Sequence, residues 1–76
     1  MTAYKKIAPS GVEYWKDKDG RFHREDGPAI IYSNGAWDWY IHGKNITEQV
    51  QHWMKSLDVF WPWDQEIQIQ FLLAFT

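Results

Sequence analysis

The sequence predicts an α+β fold, in which a small antiparallel sheet of hairpins over residues 4–42 is covered by one or two C-terminal helices. Turn dipeptides separate short runs of β-branched and aromatic residues in the first half of the chain. Beyond residue 44, apolar residues recur at helical spacing. We therefore expect one domain over residues 1–76, with a β-hairpin region at 1–44 and a helical region at 45–76.

The central hairpin is predicted around Asn34-Gly35, which lies between two runs rich in β-branched and aromatic residues. Such a dipeptide is typical of a two-residue type I′ turn, which needs positive φ at both positions. That turn would place Tyr32 opposite Trp37 and Ile30 opposite Trp39. Because side chains alternate between faces, the predicted core face consists of Ile30, Tyr32, Trp37, Trp39 and Ile41.

A shorter hairpin is expected upstream of the central one. Residues 4–7 are predicted to form an edge strand, and residues 12–15 a second strand. Asp19-Gly20 then marks a turn into residues 21–24. Two-residue and three-residue turns both fit this stretch, so its register stays open.

A helix is predicted over residues 47–57. Its apolar stripe falls at i, i+3, i+4 and i+7 and consists of Val50, Trp53, Met54 and Leu57. Asn45 or Thr47 can serve as the N-cap residue. Glu48 lies three residues after Asn45, as in a capping box.

The last segment, residues 64–75, fits two patterns. Apolar residues alternate with glutamines as in a strand, at Ile67, Ile69, Phe71, Leu73 and Phe75. Pro62 followed by Asp64 and Glu66 is instead typical of a helix start. The length of the segment favours a second helix.

The composition excludes several classes of protein. The chain has no cysteine, so no disulfide can form, and its formal net charge is −2 with scattered Lys and Arg, which argues against nucleic acid as a partner. No apolar run is long enough to span a bilayer, and the N-terminus lacks the apolar core of a signal peptide. We therefore expect a cytoplasmic protein without a membrane partner.

The sequence offers no strong candidate for a metal or cofactor site. His23, His42 and His52 have no ligand spacing, so neither a metal nor a cofactor is expected. Asp17 and Asp19 resemble the start of a calcium loop, but the later acidic ligands are missing. We interpret them as a solvated turn.

Catalytic residues are not expected either. Glu25 and Asp26 are flanked by His23 and Arg24, but adjacent residues in a strand or turn point in different directions. A turn in which the arginine pairs with a nearby carboxylate explains the cluster without catalysis. No serine or threonine has the context of a nucleophile, so the chain is predicted not to be an enzyme.

The chain contains more aromatic side chains than a small core is expected to bury. The chain contains six Trp, four Tyr and four Phe in 76 residues. Trp and Tyr are enriched at the centres of protein interfaces. We predict that Tyr40, Trp61 and Trp63 remain at the surface and bind a partner.

A partial internal repeat accompanies this pattern. Residues 11–23 correspond to residues 27–42, each with a strand, a turn ending in glycine and a second strand. His23 to Ala29, the turn at residues 32–35 and Trp39 to Lys44 resemble a degenerate β-hairpin repeat family that is similar in style to MORN repeats. Members occur in small accessory proteins of T-even-like phages and in some bacterial proteins. The resemblance covers residues 11–44.

The resemblance implies a hairpin array and, for phage members, a small accessory protein. From this we expect a non-enzymatic protein-binding module, a phage-encoded modulator or inhibitor of a host or anti-phage defence protein, located in the host cytoplasm. The alternative is a structural or assembly module that self-associates through an exposed strand or an aromatic patch.

Overall fold

The computed structural model describes residues 3–76 and has the predicted α+β architecture. Strands β1 to β4 form an antiparallel sheet in chain order, and β5 and β6 form a separate antiparallel pair. Met1 and Thr2, at which the predicted domain begins, lie outside the described residues. The elements are β1 (Tyr4–Ile7), β2 (Glu13–Lys16), β3 (Ile30–Ile31), β4 (Trp37–Asp38), β5 (Tyr40–Ile41), β6 (Lys44–Asn45), α1 (Thr47–Leu57) and α2 (Gln65–Phe75).

Three turns of the sheet region share one geometry. Each is a three-residue loop closed by a backbone hydrogen bond of 2.8 Å, from Ala8 to Val12, from Asp17 to Arg21 and from Tyr32 to Ala36. Each loop ends on a glycine with positive φ, at Gly11, Gly20 and Gly35. A left-handed last residue is typical of three-residue hairpin loops. The repeat visible in the sequence therefore includes a repeated turn geometry.

The predicted type I′ turn at Asn34-Gly35 is wrong, because the loop also includes Ser33 and only Gly35 has positive φ. The extra residue shifts the register, so that Ile31 faces Trp37 and Ile30 faces Asp38. The predicted pairs of Tyr32 with Trp37 and of Ile30 with Trp39 are therefore wrong as well. Tyr32 is exposed and donates its hydroxyl hydrogen to the Asp38 carboxylate, at 2.7 Å.

The second strand of the central hairpin is interrupted at Trp39, where the chain leaves the four-stranded sheet. The Trp39 N–H donates to Thr47 Oγ1 at 2.9 Å, and its carbonyl accepts from the Ile46 N–H at 2.8 Å. Strand β5 follows and pairs with β6. The turn between them is His42-Gly43, where both residues have positive φ, at 47° and 84°. The type I′ geometry is thus found one turn later than predicted.

Helix α1 has the predicted bounds, but its N-cap residue is Ile46 rather than Asn45 or Thr47. The Asn45 side chain instead accepts the Thr47 N–H at 2.9 Å. On the apolar stripe, Val50 and Met54 are buried. Helix α2 confirms the helical interpretation of the last segment, and the Asp64 side chain caps it by accepting the Ile67 N–H at 3.0 Å.

The core lies between the helices and Trp39. Trp39 and Phe71 are fully buried, with ring centroids 5.7 Å apart. The buried apolar residues around them are Ile46, Val50 and Met54. Tryptophan rings form the margin of this core, at Trp37, Trp53, Trp61 and Trp63.

Candidate functional site

Two turns bring together polar side chains that are far apart in the sequence. The imidazole rings of His23 and His42 are stacked, with centroids 4.0 Å apart and planes 19° apart. His42 Nδ1 lies 3.0 Å from Asp17 Oδ2, and His23 Nε2 lies 3.1 Å from Glu25 Oε2. Sequence spacing could not predict this cluster, because backbone hydrogen bonds between residues 22–24 and 40–43 bring the two histidines together.

The hydrogen bonds of His23 define its tautomer. The backbone N–H of His42 donates to His23 Nδ1 at 2.9 Å, so that nitrogen is an acceptor and carries no proton. The proton is therefore on Nε2, which donates to Glu25. Because both ring nitrogens are engaged and the ring is fully buried, His23 has no free nitrogen for a general base.

Asp17 is buried, with 4% of its surface exposed, so the prediction of a solvated turn is wrong at this residue. Its carboxylate accepts the N–H groups of Asp19 and Arg21, at 2.9 and 3.0 Å, and Arg21 Nε at 3.1 Å. The hydrogen bond from His42, these two N–H groups and the Arg21 charge hold the pKa of Asp17 well below its ordinary value, although burial acts in the opposite direction. Asp19 is exposed as predicted.

The cluster contains three side chains of the types that bind metals, but their geometry does not fit an ion. Ligand atoms of Asp17, His23 and His42 lie within 4.8 Å of one another. A metal binds a histidine nitrogen in the plane of its ring. Because the two rings are stacked, an ion in the plane of one ring lies well out of the plane of the other. The cluster is therefore a hydrogen-bonded link between two turns.

Next to this cluster lies a cleft of about 470 Å³ between the sheet and α2. Glu25 and Asp26 contribute carboxylates, and Gln68 donates its side-chain amide to the Glu25 carbonyl. Its described lining contains no hydroxyl or thiol, and both His23 nitrogens are occupied. This cleft can bind polar groups, and its two carboxylates are each paired with a neighbouring side chain, Glu25 with His23 and Asp26 with Arg24. The lining residues are Ala3, Trp15, His23, Glu25, Asp26, Gln68 and Leu72.

The guanidinium of Arg24 lies between two indole rings, 3.8 Å from the Trp15 centroid and 5.3 Å from that of Trp61. Its Nε pairs with Asp26 at 2.8 Å, which confirms the local pairing of this arginine with a carboxylate. Gly27 is required beneath this stack, because a Cβ there would lie 2.7 Å from a carbon of Trp61.

The structure places the three predicted partner-binding residues partly inside the molecule. Tyr40 is half-buried on β5, with its ring 5.3 Å from that of Phe22. Trp61 is half-buried and donates its indole N–H to the Asp26 carbonyl at 3.0 Å. Trp63 is half-buried and stacks on Trp39, with centroids 5.2 Å apart. Their role in partner binding stays a prediction.

Other apolar side chains are far more exposed than these three. Phe60 is 85% exposed and Leu73 is 82% exposed, and Ile69 and Leu57 are also exposed. Trp61 and Trp63 were predicted as the binding residues of this connector, whereas Phe60 was not. One signal was available, since α2 is apolar on more than one face and the core can cover only one of them.

Comparisons of the chain with protein-family models, with curated proteins and with solved structures found no match. The MORN-like resemblance therefore stays a prediction. Among the described residues, neither helix has the length and apolar character needed to cross a membrane.

Proposed function

We propose that the chain is a non-enzymatic protein-binding module whose principal contact surface is in the helical region. The observation that carries this proposal is the exposure of Phe60 and Leu73, at 85% and 82%. Large exposed apolar side chains that lie next to one another, as Ile69 and Leu73 do on α2, are typical of partner-binding surfaces. We call this set of residues the helical apolar surface: Leu57, Phe60, Ile69 and Leu73.

The positions of these residues support a contact surface rather than an incomplete core. Ile69 and Leu73 are four residues apart on α2 and so share one helical face, whereas Phe71 on another face is fully buried. Phe60 lines a groove of about 220 Å³ together with Met54 and Val59. An aromatic side chain beside an apolar groove is a suitable anchor for a partner.

The chemistry of the cleft also supports binding without catalysis. His23 has no free nitrogen, the described lining contains no hydroxyl or thiol, and the carboxylates of Glu25 and Asp26 are paired with His23 and Arg24. The MORN-like resemblance further supports an accessory protein of a phage, which would act in the host cytoplasm as a modulator or inhibitor of a host or defence protein. Tyr40, Trp61 and Trp63 would contribute at the margin of the contact, because they are only half-buried.

Self-association is the alternative proposal, because a second copy could cover the same helical apolar surface. The native mass of the purified protein distinguishes the two proposals. A monomer at micromolar concentration supports a separate partner. A dimer that becomes a monomer on substitution of Phe60 and Leu73 supports assembly.

The test of the proposed function is quantitative capture from a bacterial lysate with the double variant Phe60→Ser and Leu73→Ser. We expect at least a tenfold loss of the captured partner, with an unchanged melting temperature, because both side chains are exposed in the free protein. The control is Gln65→Ser with Gln70→Ser, two exposed polar positions on the same helix. Equal capture by wild type and double variant would contradict the proposal.

A further inference from the structure

We propose that the free edge of β1 binds an acidic, extended segment of a partner protein, which adds to the sheet as a fifth strand. This interaction is β-augmentation, in which main-chain hydrogen bonds give affinity and side chains give specificity. The site is separate from the helical apolar surface, so the two proposals can fail independently.

Strand β1 is the outermost strand of the four, and half of its backbone groups point away from the sheet. The Ala8 N–H donates to Val12, and the Trp15 N–H donates away from β1, to Ala29. In an antiparallel pair, hydrogen-bonded positions alternate along the strand. With Lys6 opposite Tyr14 and Tyr4 opposite Lys16, these two residues of β1 bond to β2. Lys5 and Ile7 therefore direct their N–H and C=O groups outwards.

The charge beside β1 is positive, which is opposite to the charge of the whole chain. The net charge is −2, yet Lys6, Lys16 and Lys18 line one open groove of about 480 Å³ beside β1. Within residues 3–76, none of these three ammonium groups forms a salt bridge. The acidic residue that also lines the groove, Asp17, is engaged by His42 and Arg21. The groove therefore presents uncompensated positive charge along the edge.

The same charges disfavour a second copy of the chain as the occupant. Pairing of β1 with another β1 would bring Lys6 of one copy close to Lys6 of the other, and like charges across strands are destabilising. Lysine on an edge strand is a common device against such pairing. A strand with carboxylates at alternate positions replaces this repulsion by attraction, because those carboxylates face Lys6 on β1 and lie on the same face of the sheet as Lys16.

Nucleic acid is disfavoured by the aromatic residues near the edge. Binding of single strands requires aromatic faces on which bases can stack. Tyr14 and Phe22 are half-buried, and the Lys16 ammonium lies over both rings, at 5.4 and 5.3 Å from their centroids. Tyr4 is exposed, but one ring does not form a stacking platform. An extended polypeptide uses the backbone edge, which nucleic acid does not.

The direct test uses an eight-residue peptide of alternating Val and Glu and measures amide exchange of the protein by NMR. On binding, the outward amides of Lys5 and Ile7 should exchange at least tenfold more slowly, whereas the amide of Lys6 already bonds to β2 and should change little. A peptide of alternating Val and Lys and an oligothymidine of eight nucleotides are the comparisons. Tighter binding of the oligonucleotide, or no binding of the acidic peptide at millimolar concentration, would overturn the proposal.

Two sets of variants separate main-chain pairing from charge. Ile7→Pro removes an outward N–H but no bond to β2, so the sheet should remain while peptide binding falls at least tenfold. Lys6→Glu with Lys16→Glu should have a similar effect, whereas Lys44→Glu with Lys55→Glu makes the same change of charge elsewhere and should preserve most of the binding. Undiminished binding by Ile7→Pro in a folded protein would refute strand addition. The double variant Phe60→Ser and Leu73→Ser should bind the peptide as the wild type does.

Discussion

At the residue scale, side-chain hydrogen bonds hold the turns in conformations that their residues do not otherwise prefer. His42 has φ of 47°, in the left-handed region that few residues other than glycine adopt. Its ring stacks on His23 and bonds to Asp17, and its backbone N–H bonds to His23. These contacts offset the unfavourable backbone conformation and fix the turn between β5 and β6 against the turn after β2.

The first prediction concerns how the stability that Asp17 provides depends on pH. Asp17→Asn should lower the melting temperature at pH 7 by several degrees, because the neutral amide loses its charge-assisted bonds to Arg21 and His42. The pKa of Asp17 in the folded protein lies below its unfolded value of about 3.9. The ionised carboxylate therefore stabilises the fold fully above a pH of about 3.9, and this stabilisation is lost as the pH falls towards the folded pKa. Melts of both proteins between pH 7 and pH 2 are the measurement.

The control for this prediction is Asp19→Asn, because Asp19 is exposed and lies in the same loop. This variant should behave nearly as the wild type at every pH. A difference between wild type and Asp17→Asn that stays constant down to pH 2 would show that the ionised carboxylate is not the stabilising group.

Residue chemistry alone located the turns but did not give their lengths. The chain reverses direction at Asn34-Gly35 and at Asp19-Gly20, as predicted. A left-handed glycine can end both a two-residue and a three-residue loop, so these dipeptides do not distinguish the two. One additional loop residue changes every cross-strand pair, which is why the predicted partners of Trp37 and Trp39 were wrong.

At the element scale, α1 was predicted with its observed bounds, whereas α2 was preferred to a strand only because of the length of its segment. The spacing of Val50, Trp53 and Met54 identified α1, and the acidic residue at position 64 identified the start of α2. The interruption at Trp39 was not predictable, because it depends on hydrogen bonds to Ile46 and Thr47 that form only when α1 is in place. The stacking of His23 on His42 depends on the same tertiary arrangement.

The second prediction concerns the end of α1, where Asp58 adopts a left-handed conformation with φ of 56°. Its N–H and that of Val59 bond to the carbonyls of Lys55 and Met54, as in a Schellman motif. Asp58→Gly should raise the free energy of unfolding by about 0.5–1.5 kcal/mol, because it relieves the backbone and removes a negative charge from the negative end of the helix dipole. Urea melts are the measurement.

Gln51→Gly is the matched control, since Gln51 is exposed in the middle of the same helix. There glycine should instead lower the free energy of unfolding by about 0.5–1 kcal/mol. A loss of stability in both variants would mean that the left-handed conformation of Asp58 carries no strain.

At the scale of the whole molecule, aromatic rings join the sheet region to the helices. Trp63 contacts rings from both parts, with centroid distances of 5.2 Å to Trp39, 5.3 Å to Trp53 and 4.9 Å to Phe71. This indole was predicted to lie at the surface because the volume of a small core is limited. The rings pack in stacked and edge-to-face pairs within one cluster, and several of them are only half-buried. The core therefore contacts more aromatic residues than it could bury completely.

The last prediction follows from this position of Trp63. Trp63→Ala should lower the free energy of unfolding by about 3–5 kcal/mol, which is most of the stability of a domain of this size. Trp63→Phe should cost much less, because it keeps a ring in the cluster and removes a buried indole N–H that has no partner among the described residues. In urea melts, the near-ultraviolet signal of the tryptophans and the far-ultraviolet signal of the helices should be lost together in both variants, since one cluster holds both parts. A stable Trp63→Ala protein with weakened partner capture would instead assign Trp63 to the binding surface.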